Sequence, residues 1–223
     1  MKEWLSYRLS DFVMFSARVY DRQIELHNER LAGLQILSIG FGIVLLWMCS
    51  RPTSLTNRIL PAVLGVGWVF VAWSFLWLRY AEINLLAEYA APAFAAQGVA
   101  LLALSLRGGG IAMQLPAGYF HYPALGFIAV AVLGFPLIAP AAGKPFATAE
   151  YFLMMPDPTA LGTLAVLAFS ATPLRWLLMI VPVLWCVLSG AMLWTLDMPT
   201  APVLAVAAPI LLVLAVLTVF RRR

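Results

Sequence analysis

The sequence predicts an all-α protein, a polytopic membrane helix bundle of about seven transmembrane helices preceded by an amphipathic N-terminal helix. Three observations carry that expectation. Hydrophobic residues make up 63% of the 223-residue chain and charged residues only 11%, with a mean hydropathy of +0.93; a soluble domain is about one-quarter charged. Long apolar runs recur from residue 31 to residue 220. The first thirty residues are different, with apolar and charged positions alternating at helical spacing.

In that first segment Leu5, Leu9, Phe12, Val13, Tyr20 and Ile24 fall on one side of a helix. Arg8, Asp11, Arg18, Asp21, Arg22, Glu25 and Glu29 fill much of the other. Residues 1–30 therefore read as an interfacial helix on the membrane surface, with Ser10 or Ser16 as its cap. The stretch is too long and too acidic for the start of a signal peptide, so the first apolar helix is expected to be retained.

A spanning helix needs about 20 mostly apolar residues. The candidates are 31–49, 59–78, 85–106, 123–142, 158–173, 174–195 and 200–220. The fifth is short and reads as a half-span or a thinned passage. Gly108, Gly109 and Gly110 mark a loop. The tail, residues 221–223, is Arg221, Arg222 and Arg223, which suits an anionic lipid surface rather than nucleic acid. Cys49 and Cys186 lie in apolar runs and read as small buried hydrophobes, not a disulfide framework.

Seven spans place the termini on opposite faces. The ten acidic residues then all fall on the N-terminal face, and the fourteen basic residues split evenly. Five of the basic residues on the N-terminal face precede the first span. The connections and tail favour the other face, seven to two. The positive-inside rule then puts the C-terminus in the cytoplasm and the N-terminus outside.

The stretch "RYAEINLLAEYAAPAF", residues 79–94, is the first candidate site. Glu88 stands about one turn into the third span, and Pro92 four residues later removes the hydrogen bond to the Glu88 carbonyl. A carboxylate and a free carbonyl at one depth suit a cation or a proton. Asn84 and Glu82 add oxygens just outside, and Arg79 is a partner for Glu82. In the structural alternative Arg79 neutralises Glu82 and Glu88 reaches the headgroups. Asp157 is the second acidic element. With Pro158 after it, it reads first as a helix N-cap, and it joins Glu88, Glu82 and Asn84 in the acidic outer-face site. A weaker regularity is the spacing of nine in Trp68 and Trp77, repeated in Trp185 and Trp194. It fits a parallel repeat of spans 1–3 and 5–7.

Other chemistries find little. His27 and His121 fall on opposite faces, no Cys/His cluster has ligand spacing, no Lys lies inside a span, and the Gly-rich loop lacks a nucleotide-binding context. No cofactor is expected, and no metal is assigned. No catalytic triad is visible, so a non-enzymatic role is the expectation.

The segment "YRLSDFVMFSARVYDRQIELHN" resembles the opening of a bacterial multi-pass family known only as a domain of unknown function. "PDPTALGTLAVL" and "RWLLMIVPVLWCVLSGAMLW" resemble its later segments, in the same order. The resemblance implies a multi-span protein of the bacterial inner membrane and transfers no catalytic residues. Two functions are expected from the residues themselves. One is a small transporter or channel with an acidic outer-face cation or proton site. The other is a non-catalytic subunit of a larger membrane complex. The expected partners are the lipid bilayer and other membrane proteins or further copies of the chain.

Overall fold

The computed structural model describes residues 14–107, 110–115 and 121–220. The expected helical positions before Met14 and the arginine tail lie outside the described residues. The described chain is all-α, with helices α1 (Ala17–Arg30), α2 (Leu34–Ser50), α3 (Ser54–Val71), α4 (Leu85–Leu106), α5 (His121–Ala129), α6 (Phe135–Ala141), α7 (Pro156–Ala168), α8 (Arg175–Thr195) and α9 (Ala201–Phe220). The only β-structure among these residues is an isolated bridge between Met113 and Ser170.

Five helical stretches are long and apolar enough to cross a membrane: Ser54–Glu82, Leu85–Leu106, Tyr122–Ala141, Arg175–Thr195 and Ala201–Thr218. A sixth is counted if α1 and α2 form one broken crossing, and they meet at 92°. The expected count of seven is therefore not reached by complete helices. α2 has 17 residues and α7 only 13. At 1.5 Å per residue α7 covers about 20 Å, short of a hydrocarbon core of about 30 Å. It can be short because it meets protein on every side: each residue from Ala149 to Ser170 is buried.

Two spans carry π-helical turns, Ala72–Trp77 and Val130–Gly134. In the first, the Leu78 N–H reaches five residues back to the Trp73 carbonyl at 3.2 Å. The second runs into Pro136, which has no N–H to continue the ladder. α3 and α4 pack closest where two glycines face each other. A Cβ on Gly98 would stand 2.7 Å from the Gly65 carbonyl oxygen, and one on Gly65 2.8 Å from that of Gly98. Small residues let membrane helices approach this closely. Exposed Trp47 and Trp176 lie toward one end of the bundle and Trp73, Trp77 and Trp194 toward the other, the distribution expected of interfacial belts.

α1 starts at Ser16, whose hydroxyl accepts from the Val19 N–H. Its apolar stripe packs on protein rather than on lipid, with Tyr20, Ile24, His27 and Asn28 buried. The Asn28 amide donates to the carbonyls of Ala147 at 2.8 Å and Ala149 at 2.9 Å. Lys144 pairs with Asp21 at 2.7 Å. Tyr20 meets Tyr80 edge-on at 5.6 Å, and His27 meets Phe75 at 5.2 Å. The helix is thus fastened across one end of the bundle.

Burial, followed by the positive charge of Arg79, lowers His27 from its ordinary 6.5 to about 4. A depressed folded value means that the neutral form is the folded one. The associated stability is complete above pH 6.5 and is lost as pH falls toward 4. Amide exchange along α1 should accelerate over that window. His27→Gln should flatten the acid-dependent part, and an identical pH profile for the two proteins would refute the role of His27.

Candidate functional site

α7 begins inside the bundle. Residues 149–155 descend without helix, and Pro156 opens the helix with Met155 as its N-cap. A helix start leaves four amide groups without intrahelical partners, which is costly away from water. Here Met155 N–H bonds back to the Tyr151 carbonyl at 2.9 Å, and Pro156 and Pro158 have no N–H at all. Only the Asp157 amide remains. Thr159 braces the turn: its hydroxyl accepts from Leu153 N–H and donates to the Met155 carbonyl.

Asp157 is therefore not the N-cap. The helix starts two residues earlier than the Asp–Pro pair suggests, and the side chain turns to α8. Oδ1 accepts from the Trp185 indole at 2.6 Å and from the Ser189 hydroxyl at 2.7 Å. Oδ2 has no hydrogen-bond partner, and the residue is 0% exposed. The positive end of the α7 dipole favours an anion here, while burial opposes one.

Glu150 is the second buried acid, 3% exposed and with Oε2 unpartnered. Glu150 borders a cavity of about 10 Å³, lined also by Asp21, Lys144, Thr148 and Thr200, roughly the space of one water. The Asp21–Lys144 ion pair is partly exposed, with side chains at 22% and 27%. Asp21 at the rim and Glu150 thus border one cavity, and Asp157 follows Glu150 on the same buried segment.

The two tryptophans that start the repeated pairs have matching places. Trp68 on α3 donates its indole N–H to Thr163 on α7 at 2.8 Å, as Trp185 on α8 does to Asp157. Phe94 of α4 contacts both rings, at 4.2 and 5.0 Å between centroids. The second members, Trp77 and Trp194, are both exposed.

The other expected site residues lie elsewhere. Glu88 is exposed in the first turn of α4, and Glu82 is exposed in the 3-10 turn Tyr80–Glu82. No ion pair joins Arg79 to Glu82 among the described residues, and Arg79 Nε is buried without an acceptor. Asn84 caps α4 by accepting from Leu86 N–H. Its amide also donates to the Met192 sulfur at 3.4 Å, which receives the Tyr80 hydroxyl at 2.9 Å. Asn84 thereby touches the packing around Asp157, and Glu82 and Glu88 do not. Glu150, Trp185 and Ser189 were not legible as site residues, although the tryptophan spacing pointed to one of them. Among the described residues no group of three or more His, Cys, Asp or Glu is arranged to hold a metal ion.

Residues 17–223 match the model of a family of unknown function (DUF6064). No curated protein and no solved structure matches the chain.

Trp185→Phe removes one of the two donors to a buried carboxylate and should cost about 1–3 kcal/mol in thermal unfolding. The same change in an Asp157→Asn background should cost clearly less, because the two groups interact directly. Equal costs in both backgrounds would assign the effect to ring packing against Phe94 instead.

Proposed function

The chain belongs to the DUF6064 family, and from that premise we propose that it is a multi-pass protein of the bacterial inner membrane that carries protons, with Glu150 and Asp157 as the transfer pair. One observation carries this reading. Two carboxylates are buried together, each with one oxygen unpartnered, while the nearby Lys144 is engaged by Asp21. A low-dielectric interior disfavours a second buried charge, and in this reading the pair shares one proton. Glu150 exchanges that proton with the small cavity beneath the Asp21–Lys144 pair. Asp157 holds it deeper, with Trp185 and Ser189 fixing the carboxylate and leaving Oδ2 as the accepting atom.

Further support comes from the shape of α7. A short helix that begins inside a bundle, after buried irregular backbone, is a common element of membrane transporters. In this reading α2 and the segment 149–168 complete seven crossings. The N-terminus lies outside and the C-terminus in the cytoplasm, following the bias of the basic connections. The cavity at Glu150 then faces outward.

A second reading, a subunit of a larger membrane complex or a homo-oligomer, is favoured by a groove of about 260 Å³ between α8 and α9. It is lined in part by Gly190, Ala191, Ala205 and Ala208, the small residues against which another helix packs closely.

Protein reconstituted in liposomes with a trapped pH-sensitive dye should pass protons when a potassium diffusion potential is imposed. Asp157→Asn should cut the flux by about tenfold or more, with helicity retained. Glu88→Gln, at an exposed position, should change it little. Wild-type protein with no flux above empty liposomes, or equal flux in Asp157→Asn, would sink the proton reading and leave the subunit reading standing.

Reporter fusions after Arg223 check the orientation. Activity of a reporter that works only in the periplasm would reverse it.

A further inference from the structure

A groove of about 440 Å³ runs between α2 and α3 on the outside of the bundle, within the range of about 300–1,000 Å³ typical of ligand sites. Leu34, Leu37 and Phe41 form one wall, Val66 and Phe70 the other, and Leu153 part of the floor. From Leu34 to Phe41 the groove follows α2 for about 10 Å from its first residue. Its head therefore lies at the elbow between α1 and α2, and its foot toward the middle of the bundle.

The head is cationic. Arg30 ends α1, is exposed, and joins no ion pair among the described residues. Its neighbour Glu29 lies 3.7 Å from Arg22. α2 starts at Gly33, whose N–H donates to the Gln35 side-chain oxygen at 2.8 Å, and has no acid in its first turn, so no charge there offsets the positive end of its dipole. His27 is 1% exposed and its Nε2 has no partner, and Met154 lines the groove.

We propose that this groove binds one acyl chain of an anionic phospholipid from the surrounding bilayer, with the headgroup phosphate at Arg30 beside the first turn of α2. The inference rests on the membrane placement proposed above but not on proton transfer. An apolar slot that opens beside two helices admits a hydrocarbon chain, and the cationic elbow selects a negative headgroup at the depth where headgroups lie.

The floor gives the bound lipid a consequence. Leu153 has φ 61°, a left-handed conformation uncommon for a branched residue. It sits under Gly67, where any Cβ would come within 2.2 Å of the Leu153 side chain. On the same loop the Ser38 hydroxyl donates to the Phe152 carbonyl. A chain in the groove therefore lies against Leu153, on the segment that runs from Glu150 to Asp157.

Native mass spectrometry of detergent-purified protein, with added phosphatidylglycerol or phosphatidylcholine, tests the site. Wild-type protein should retain one phosphatidylglycerol and release phosphatidylcholine. Val66→Trp, at an exposed position, should fill the groove and lose the retained lipid while keeping its melting temperature. Arg30→Gln should retain a lipid but lose the preference between headgroups. Equal retention of both lipids by the wild type, or unchanged retention in Val66→Trp, overturns the proposal. Absence of proton flux leaves it untouched, because retention is read without a gradient. A protein that leaves the cell membrane without detergent removes the shared premise instead.

Discussion

A carboxylate carried into a bundle on a helix that touches neither bulk solvent nor lipid must be enclosed on all sides, and its backbone must be satisfied without water. The arrangement around Asp157 meets both demands. Pro156 and Pro158 remove amides that would otherwise be stranded, and Thr159 ties the descending loop to the first turn. At the far end of α7, Gln114 N–H closes on the Phe169 carbonyl at 2.7 Å, and Ala171 N–H closes on that of Ala112 at 2.8 Å. The glycine contact of α3 with α4 draws two of the surrounding helices together. The surrounding architecture serves to keep one short polar-tipped helix dry.

α3 and α8 serve α7 in parallel ways. Each offers a buried indole to a polar side chain on it, and both indoles rest on Phe94. A large aromatic ring with one donor suits this task, since the ring fills space while the N–H finds an acceptor. An indole N–H left without an acceptor would cost about 1–3 kcal/mol, less than a stranded carboxylate.

Much of the scaffold was legible in the sequence. The apolar run 85–106 coincides with α4, and the amphipathic period from Tyr20 to Ile24 belongs to α1. The shortness of the segment after Asp157 was visible as well. The site was harder to read for two physical reasons. α4 is apolar around its whole circumference, so periodicity gave Glu88 a depth but no direction, and the side chain proved exposed. Asp157 followed by Pro158 matched a local capping pattern, whereas its partners lie 28 and 32 residues further on and are brought near only by the packing of α7 on α8. Glu150 was hidden for the same reason. It precedes "YFLMMP", a run too short for a span, and its burial is created by α1 lying across the bundle end.

The brevity of α7 also bears on how such a chain is made. A 13-residue helix is shorter than a segment that partitions into lipid alone, and an aspartate in its first turn opposes insertion further. Neither property matters once α3, the span 121–141, α8 and α9 surround it. Burial of this segment accordingly has to await α8 and α9, which follow it in the chain.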